Sequence, residues 1–179
     1  MSRIILRFLL ATFLSLFAAL GTCAKSWRQI TPAHSTAKEV VTRFQACQKA
    51  ETRCQFTLED HEVMIIFSGR AIGLSGSTTD VAECEQVPKQ TVLAVIITYN
   101  APKRLRGFQV NNKHFRAFDP SSPPGAGFKT YYDAEDGFMI NTYKGRVVGL
   151  VYVAAQRDIH LCPEYYADPK AFVEVGLFP

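Results

Sequence analysis

The spacing of apolar and polar positions along the chain changes period once. Ala37, Val40, Val41, Phe44 and Cys47 recur at the three- and four-residue steps that put one stripe on an α-helix. Thr36-Ala37-Lys38-Glu39 opens that stretch as a capping box, its hydroxyl taking a first-turn N–H while Glu39 reaches back. The pattern predicts a single amphipathic helix over residues 36–47. Beyond it the period is two. Arg53–Leu58 and Val63–Ser68 flank the polar turn Glu59-Asp60-His61-Glu62 and predict a hairpin, with Val63, Ile65 and Phe67 on one face and Met64 and Ile66 on the other. Thr91–Tyr99 is apolar on both faces, as a central strand covered from both sides would be. Lys113–Phe118, Phe128–Tyr132, Phe138–Tyr143 and Arg146–Val153 read as further strands.

The breaks between these runs are chemically distinct. Residues 69–80 are rich in small side chains, and Asp119–Gly127 is a Pro-rich loop. Asp133–Gly137 and the two-residue Lys144-Gly145 are turns, the latter suited to joining antiparallel strands. The expected class is α+β, an antiparallel β meander of six or seven strands with one N-terminal helix packed on one face. No repeat of fixed period interrupts it.

The N-terminus has a different character. Arg3 and Arg7 precede an apolar run, Phe8–Leu20, of 13 residues, followed by small residues to Ala24. A membrane-spanning helix needs about 20 apolar residues, so the run reads as a secretory signal, with cleavage after Gly21 or Ala24. Leu20-Gly21-Thr22-Cys23 resembles a bacterial lipobox with Thr where Gly, Ala or Ser is usual, which makes Cys23 a candidate lipid anchor. The expected division is a signal at 1–24, one globular domain at 25–168 and a tail at 169–179. An exported destination, periplasmic or extracellular, follows from this reading, as a free or lipid-anchored protein with no further membrane span.

Charge narrows the partners. The whole chain carries +4, but Arg3 and Arg7 leave with the signal, so 18 basic residues face 16 acidic ones and the mature chain is near +2. That balance gives no case for a nucleic-acid partner. The charge is uneven, however. Between Glu85 and Asp119 there is no acidic residue, while Lys103, Arg104, Arg106, Lys113 and Arg116 crowd one stretch with Phe108 and Phe115. These residues, Phe108 among them, form a candidate basic and aromatic binding loop for an anionic lipid surface, a cell-wall polymer or an acidic protein patch.

Five cysteines also fit export. With Cys23 at the cleavage site, Cys47, Cys54, Cys84 and Cys162 remain, and an oxidising compartment favours pairing. Of three possible connectivities we expect Cys47–Cys54 and Cys84–Cys162.

Enzymatic chemistry is poorly represented. No nucleophile signature surrounds any Cys, and there is no Gly-x-Ser-x-Gly elbow or phosphate-binding Gly loop. Asp158, His160 and Cys162 alternate and would share a face if extended, but no second ligand motif completes a metal site. Asp133–Gly137 has the Gly one position early for a calcium loop and lacks its distal Glu. The carboxylates Glu59, Asp60, Glu62, Asp133, Glu135 and Asp136 all fall in turns. No cofactor, metal or catalytic residue is assigned.

Several segments together resemble a family of uncharacterised exported bacterial proteins. They are the opening Trp27, Arg28, Ile30, Pro32, Ser35, Thr36, Glu39 and Val40, then Val87-Pro88 before Thr91-Val92, Asp119-Pro120, Asp136-Gly137 and Leu161-Cys162-Pro163. Arg43–Cys47 departs from the Leu-Leu-Gly-x-Pro that often ends the helix in that family. More distantly, the layout looks like SmpA/OmlA-type outer-membrane assembly modules and β-lactamase inhibitor proteins, which bind other proteins without a catalytic site. The expectation is therefore a non-enzymatic envelope protein that binds a protein or cell-wall component. The alternatives are a small exported hydrolase using a free Cys or a metal, and an inhibitor of a secreted enzyme.

Overall fold

Both halves of the capping box form. Thr36 N–H donates to Glu39 Oε2 at 2.6 Å and Glu39 N–H donates to Thr36 Oγ1 at 3.4 Å, opening helix α1, Ala37–Arg43. The helix is shorter than the apolar stripe predicts. Phe44 turns extended (φ −130°, ψ 95°), and a 3-10 turn, Gln45–Cys47, follows. The break aims the Phe44 ring between Trp27 and Phe56, at centroid distances of 5.2 and 5.0 Å, and delivers Cys47 to Cys54. Aromatic packing and the disulfide outweigh one more turn of helical hydrogen bonds.

The computed structural model describes residues 25–48, 52–69, 84, 86–108, 114–119 and 127–166. Cys23 and the rest of residues 1–24, Lys113 and residues 169–179 lie outside them. Among the described residues no helix is long and apolar enough to cross a membrane.

Seven strands form one antiparallel sheet: β1 Arg53–Leu58, β2 His61–Phe67, β3 Val92–Arg104, β4 Phe115–Phe118, β5 Phe128–Asp133, β6 Phe138–Tyr143 and β7 Arg146–Tyr152. Their order across the sheet is β1-β2-β3-β7-β6-β5-β4. The chain thus makes two meanders, β1-β2-β3 and β4-β5-β6-β7, joined where β3 pairs with β7. Periodicity carries no information about that jump. β3 ends level with the β6–β7 turn (Arg104 opposite Arg146, Arg146 opposite Tyr143). β4 begins level with the opposite end of β6, since Phe115 pairs with Asp133 and Asp133 with Phe138. The two ends of the connection therefore lie at opposite ends of the sheet, with three strands between β3 and β4. The connection opens with a 3-10 turn, Leu105–Phe108, whose Leu105 and Phe108 pack on the same core as α1.

Both faces are covered, which is why Val92–Ile97 are all buried. On the helix face Val63, Ile65, Phe67, Val95, Ile97, Ile140, Val147 and Leu150 meet Trp27, Ile30, Ala37 and Val40. Trp27 and Ile30 arrive side by side because Arg28 and Gln29 form a two-residue turn with φ of 47° and 66°. Left-handed backbone costs about 1–2 kcal/mol per non-glycine residue, and the burial of Trp27 and Ile30 offsets it. On the other face Leu93, Ala94, Ile96, Met139 and Val151 lie under Val87 and the C-terminal segment. That segment is a 3-10 turn, Gln156–Leu161, and a short helix α2, Pro163–Tyr166, in which the Tyr166 hydroxyl donates to the Leu93 carbonyl at 2.9 Å. The β1–β2 turn is tighter than the four-residue polar run suggests, because His61 already belongs to β2 opposite Leu58.

Candidate functional site

The four described cysteines form two disulfides. Cys47–Cys54 joins the helix end to edge strand β1, with a Cα–Cα distance of 5.3 Å. Cys84–Cys162 ties the segment before β3 to the C-terminal segment, with a Cα–Cα distance of 4.8 Å. A thiol held in a disulfide is neither nucleophile nor metal ligand, so these four offer no such chemistry in this state. Disulfides are also what an oxidising compartment produces, and they are compatible with an exported chain.

The alternating Asp158, His160 and Cys162 do not share a face. The segment coils instead of extending, because it caps the second face of the sheet, and each side chain goes elsewhere. Asp158 Oδ2 lies 3.1 Å from His34 Nε2, an ion-pair distance without hydrogen-bond alignment, and 3.7 Å from Arg157 Nε. His160 Nδ1 lies 2.7 Å from the Arg157 carbonyl oxygen. Asp158 is buried, and its carboxyl lies between His34 and Arg157 where the opening segment meets the C-terminal one. Among the described residues no group of three or more His, Cys, Asp or Glu side chains is arranged to hold a metal ion.

Four of the six candidate carboxylates have structural partners, while Glu59, in the β1–β2 turn, and Glu62, on β2, are exposed. Asp133 is buried and its Oδ1 accepts the Asp136 N–H at 3.3 Å, closing the β5–β6 turn. Asp136 pairs with Lys25 at 3.3 Å, and Glu135 Oε2 lies 3.2 Å from His114 Nδ1. At the other end of the sheet Asp60 stands between His61 Nδ1 at 2.6 Å and Lys103 Nζ at 2.8 Å. Lys103 first, and His61 second, hold the Asp60 carboxyl down at about 2. His61 Nε2 is buried and has no hydrogen-bond partner, so an oriented imidazole is present without a nucleophile on its free nitrogen. Nearby, burial pushes the Tyr99 phenol up, with the Asp60 charge adding, and burial pushes Tyr152 up to about 12.

The basic loop divides. Lys103 is taken by Asp60 and also lies 5.5 Å from the Tyr99 ring centroid. Phe108 is half-buried against the core beside Tyr99, which makes it a structural residue of the crossover. Arg116 is exposed on edge strand β4, opposite Tyr132 and away from the end of β3. Arg104 and Arg106 are exposed at that end, and the fold adds bases the linear window did not include. Arg146 stands directly opposite Arg104 across β3–β7; Tyr143 is opposite Arg146, and Phe128 opposite Tyr143. Register partners share a face, so these four residues make one row. Lys144 sits in the adjoining turn with its Nζ 5.1 Å from the Tyr143 ring, whereas Lys129, next to Phe128, points to the opposite face with its Nζ 5.4 Å from the Tyr131 ring.

This end is electrostatically unbalanced. Like charges placed directly opposite in a sheet repel, yet Arg104 faces Arg146. Among the described residues Arg104, Arg106, Lys129, Lys144 and Arg146 have no carboxylate at ion-pair distance; the Arg146 guanidinium donates instead to the Pro102 carbonyl at 2.9 Å. Tyr143, 36% exposed, is the exposed large hydrophobic of the described residues, and its ring lies against Phe128 at 4.6 Å. The clue available in the sequence was Tyr143-Lys144-Gly145-Arg146, whose bases flank a two-residue turn and must therefore come together. What it lacked was the β3–β7 pairing that sets them beside Arg104.

No protein-family model, no curated protein and no solved structure matches the chain.

Proposed function

We propose that this chain is an exported, disulfide-stapled binding module that holds an anionic envelope partner at the basic end of its sheet, acting by binding and not by catalysis. The observation that carries the reading is the Arg104–Arg146 opposition, a repulsive pair with two further bases and an exposed tyrosine around it. A pair that works against folding is retained where something outside the fold compensates it. The likeness to exported bacterial proteins and to inhibitor and assembly modules belongs to the same proposal and supplies a class of role without a partner.

Lipidation of Cys23 would leave the geometry favourable. Cys23 is two residues from Lys25, a reach of about 7 Å at most. Lys25 is fastened to Asp136, whose turn lies at the end of β6 opposite Tyr143 and Arg146. An anchored protein would therefore present Arg104 and Arg146 away from the membrane. The test is charge reversal, Arg104→Glu, Arg106→Glu and Arg146→Glu together, in a pull-down from isolated envelope fractions across a salt series. Capture should weaken at least tenfold on reversal and fall with salt in the native sequence; capture unchanged by reversal would remove the assignment of this end.

A further inference from the structure

Resting on that reading, we propose that the row Arg104, Arg146, Tyr143 and Phe128 binds a phosphate-bearing polysaccharide. The guanidiniums supply charge and the Tyr143 ring supplies a stacking platform for a sugar.

Three observations select this ligand. First, Arg104 and Arg146 are register partners on adjacent strands, which places their Cα atoms about 5 Å apart. Two planar guanidinium forks launched that close on one face can converge on one tetrahedral oxyanion, the group for which their donor geometry is suited. Second, the bases continue across the end of the sheet. From β3 to β6 is two strand spacings, about 10 Å, and Lys144 in the β6–β7 turn lies along it, while Lys129 turns to the other face with its Nζ 5.4 Å from the Tyr131 ring. A line of that length fits a polymer with repeated negative charge better than a single small anion. Third, among the described residues one large ring is exposed at this end. Tyr143 is exposed, with the Phe128 ring beside it at 4.6 Å and the Lys144 Nζ 5.1 Å from its centroid, so contacts with both residues restrain it before any ligand arrives.

The same observations weigh against other anionic partners. An acidic protein would bury an apolar interface core, and a lipid surface would need apolar side chains to insert; one tyrosine supplies neither. Single-stranded nucleic acid also combines phosphates with stackable rings, but it prefers several aromatic platforms along a basic groove, and the mature chain is close to charge balance. A pyranose needs one aromatic face, and one is present.

The test uses the mature protein and defined probes: a phosphomannan, the same mannan without phosphate, poly-L-glutamate, phosphatidylglycerol vesicles and a single-stranded oligothymidylate. Affinities are measured by calorimetry at low and physiological salt. The expected result is phosphomannan binding at least tenfold tighter than mannan, weakened by salt. Arg104→Thr with Arg146→Thr should reduce it at least tenfold, and Tyr143→Ser several-fold, while Tyr143→Phe retains it. The Arg104→Lys, Arg146→Lys variant keeps the charge and loses the forks, so it should fall between native and Thr forms. Circular dichroism and the denaturation midpoint establish that each variant is folded. Should a Thr form not fold, salt-independent phosphomannan binding by the native protein would itself overturn the proposal.

If poly-L-glutamate, vesicles or oligothymidylate bind as tightly as phosphomannan, and Tyr143→Ser changes nothing, the polysaccharide assignment fails while the basic end stands. If the arginine variants bind every probe as the native protein does, both fail.

Discussion

Gly137 and Gly145 have nearly the same backbone conformation in two turns of the same sheet, and they should respond differently to the same substitution. Gly145 has φ +73° in the β6–β7 turn, and a Cβ built there meets nothing within 4 Å. Alanine at that site should cost the left-handed conformation alone, about 1–2 kcal/mol. Gly137 has φ +64°, and its Cβ would stand 2.5 Å from the Ala154 carbonyl oxygen and 2.6 Å from its carbon, with the Val153 carbonyl closer still. These are backbone atoms of buried residues, and the Val153 N–H already donates to the Gly137 carbonyl at 2.8 Å, so they cannot swing aside as a side-chain end would. Forcing such a contact adds about 1–3 kcal/mol. The expected cost of Gly137→Ala is therefore about 2–5 kcal/mol, against about 1–2 for Gly145→Ala. Urea denaturation followed by the fluorescence of Trp27 reads the difference. With a slope of about 2 kcal/mol per molar for a domain of this size, the Gly137 variant should unfold about 1 M earlier than the Gly145 variant. Equal midpoints would refute the reasoning, since they would mean that the close approach to residues 153 and 154 does not constrain the turn.

Removal of Cys84–Cys162, which closes a separation of 78 residues, should cost about 4 kcal/mol on loop entropy, and removal of Cys47–Cys54, which closes 7, about 2; paired Cys→Ala variants under the same denaturation test that order. Tyr152 is neutral in the fold up to about pH 12, whereas the unfolded phenol ionises from about 10, so the native state holds the extra proton in that window. The Tyr152 contribution should be complete below pH 10 and fall by about 2–3 kcal/mol as pH rises through 12; in urea titrations at stepped pH Tyr152→Phe should remove that part and leave those of Tyr99 and Tyr132, whose phenols burial also pushes up. Asp60 should stay ionised down to about pH 2 in a carboxyl carbon NMR titration, and Lys103→Ala should move its midpoint up towards 3.8, because Lys103 is the main cause of the shift. Arg104→Thr should leave stability unchanged or raise it by about 0.2–1 kcal/mol, since it relieves a like-charge pair; a loss of stability would show that Arg104 serves the fold.

Local pattern carried the elements. Thr36 and Glu39 mark the helix start because a capping box is made within four residues, and the Val63–Phe67 alternation marks β2 because its two faces meet different surroundings. Val92–Ile97 could be read as central because only a doubly covered strand hides both faces. The end of the helix could not be read, since Phe44 leaves helical geometry for rings at residues 27 and 56, and the stripe Ala37–Cys47 looks the same either way. Nor could the extension of β3 to Arg104, the crossover to β4 or the coiling of Gln156–Leu161, each of which is decided by a partner distant in the chain. The residues around the candidate site were legible only in part, for the same reason. Arg104 and Arg106 were visible as charge in a window, but Arg146 and Tyr143 join them only through the β3–β7 and β6–β7 registers, about 40 residues away.

That dependence on tertiary pairing bears on where this molecule can act. Both faces of the sheet are consumed by packing, under α1 and the Leu105–Phe108 turn on one side and the Gln156–Tyr166 segment on the other. What remains of the described surface for a partner is the ends and edges of the sheet. One end is internally matched: Lys25 with Asp136, His114 with Glu135, and the Asp136 N–H on Asp133. At the other end Asp60 matches Lys103 and Glu59 and Glu62 lie exposed on the β1–β2 side, while on the β3–β7–β6 side the charges, Arg104, Arg106, Lys144 and Arg146, are all basic. A fold selected for stability alone would place a carboxylate or a small polar residue opposite Arg104, because that change stabilises and disturbs no packing. Arg146 stands there instead, beside a braced and exposed ring. The repulsion costs little enough for the disulfide-stapled core to carry, and a bound polyanion would turn it into attraction.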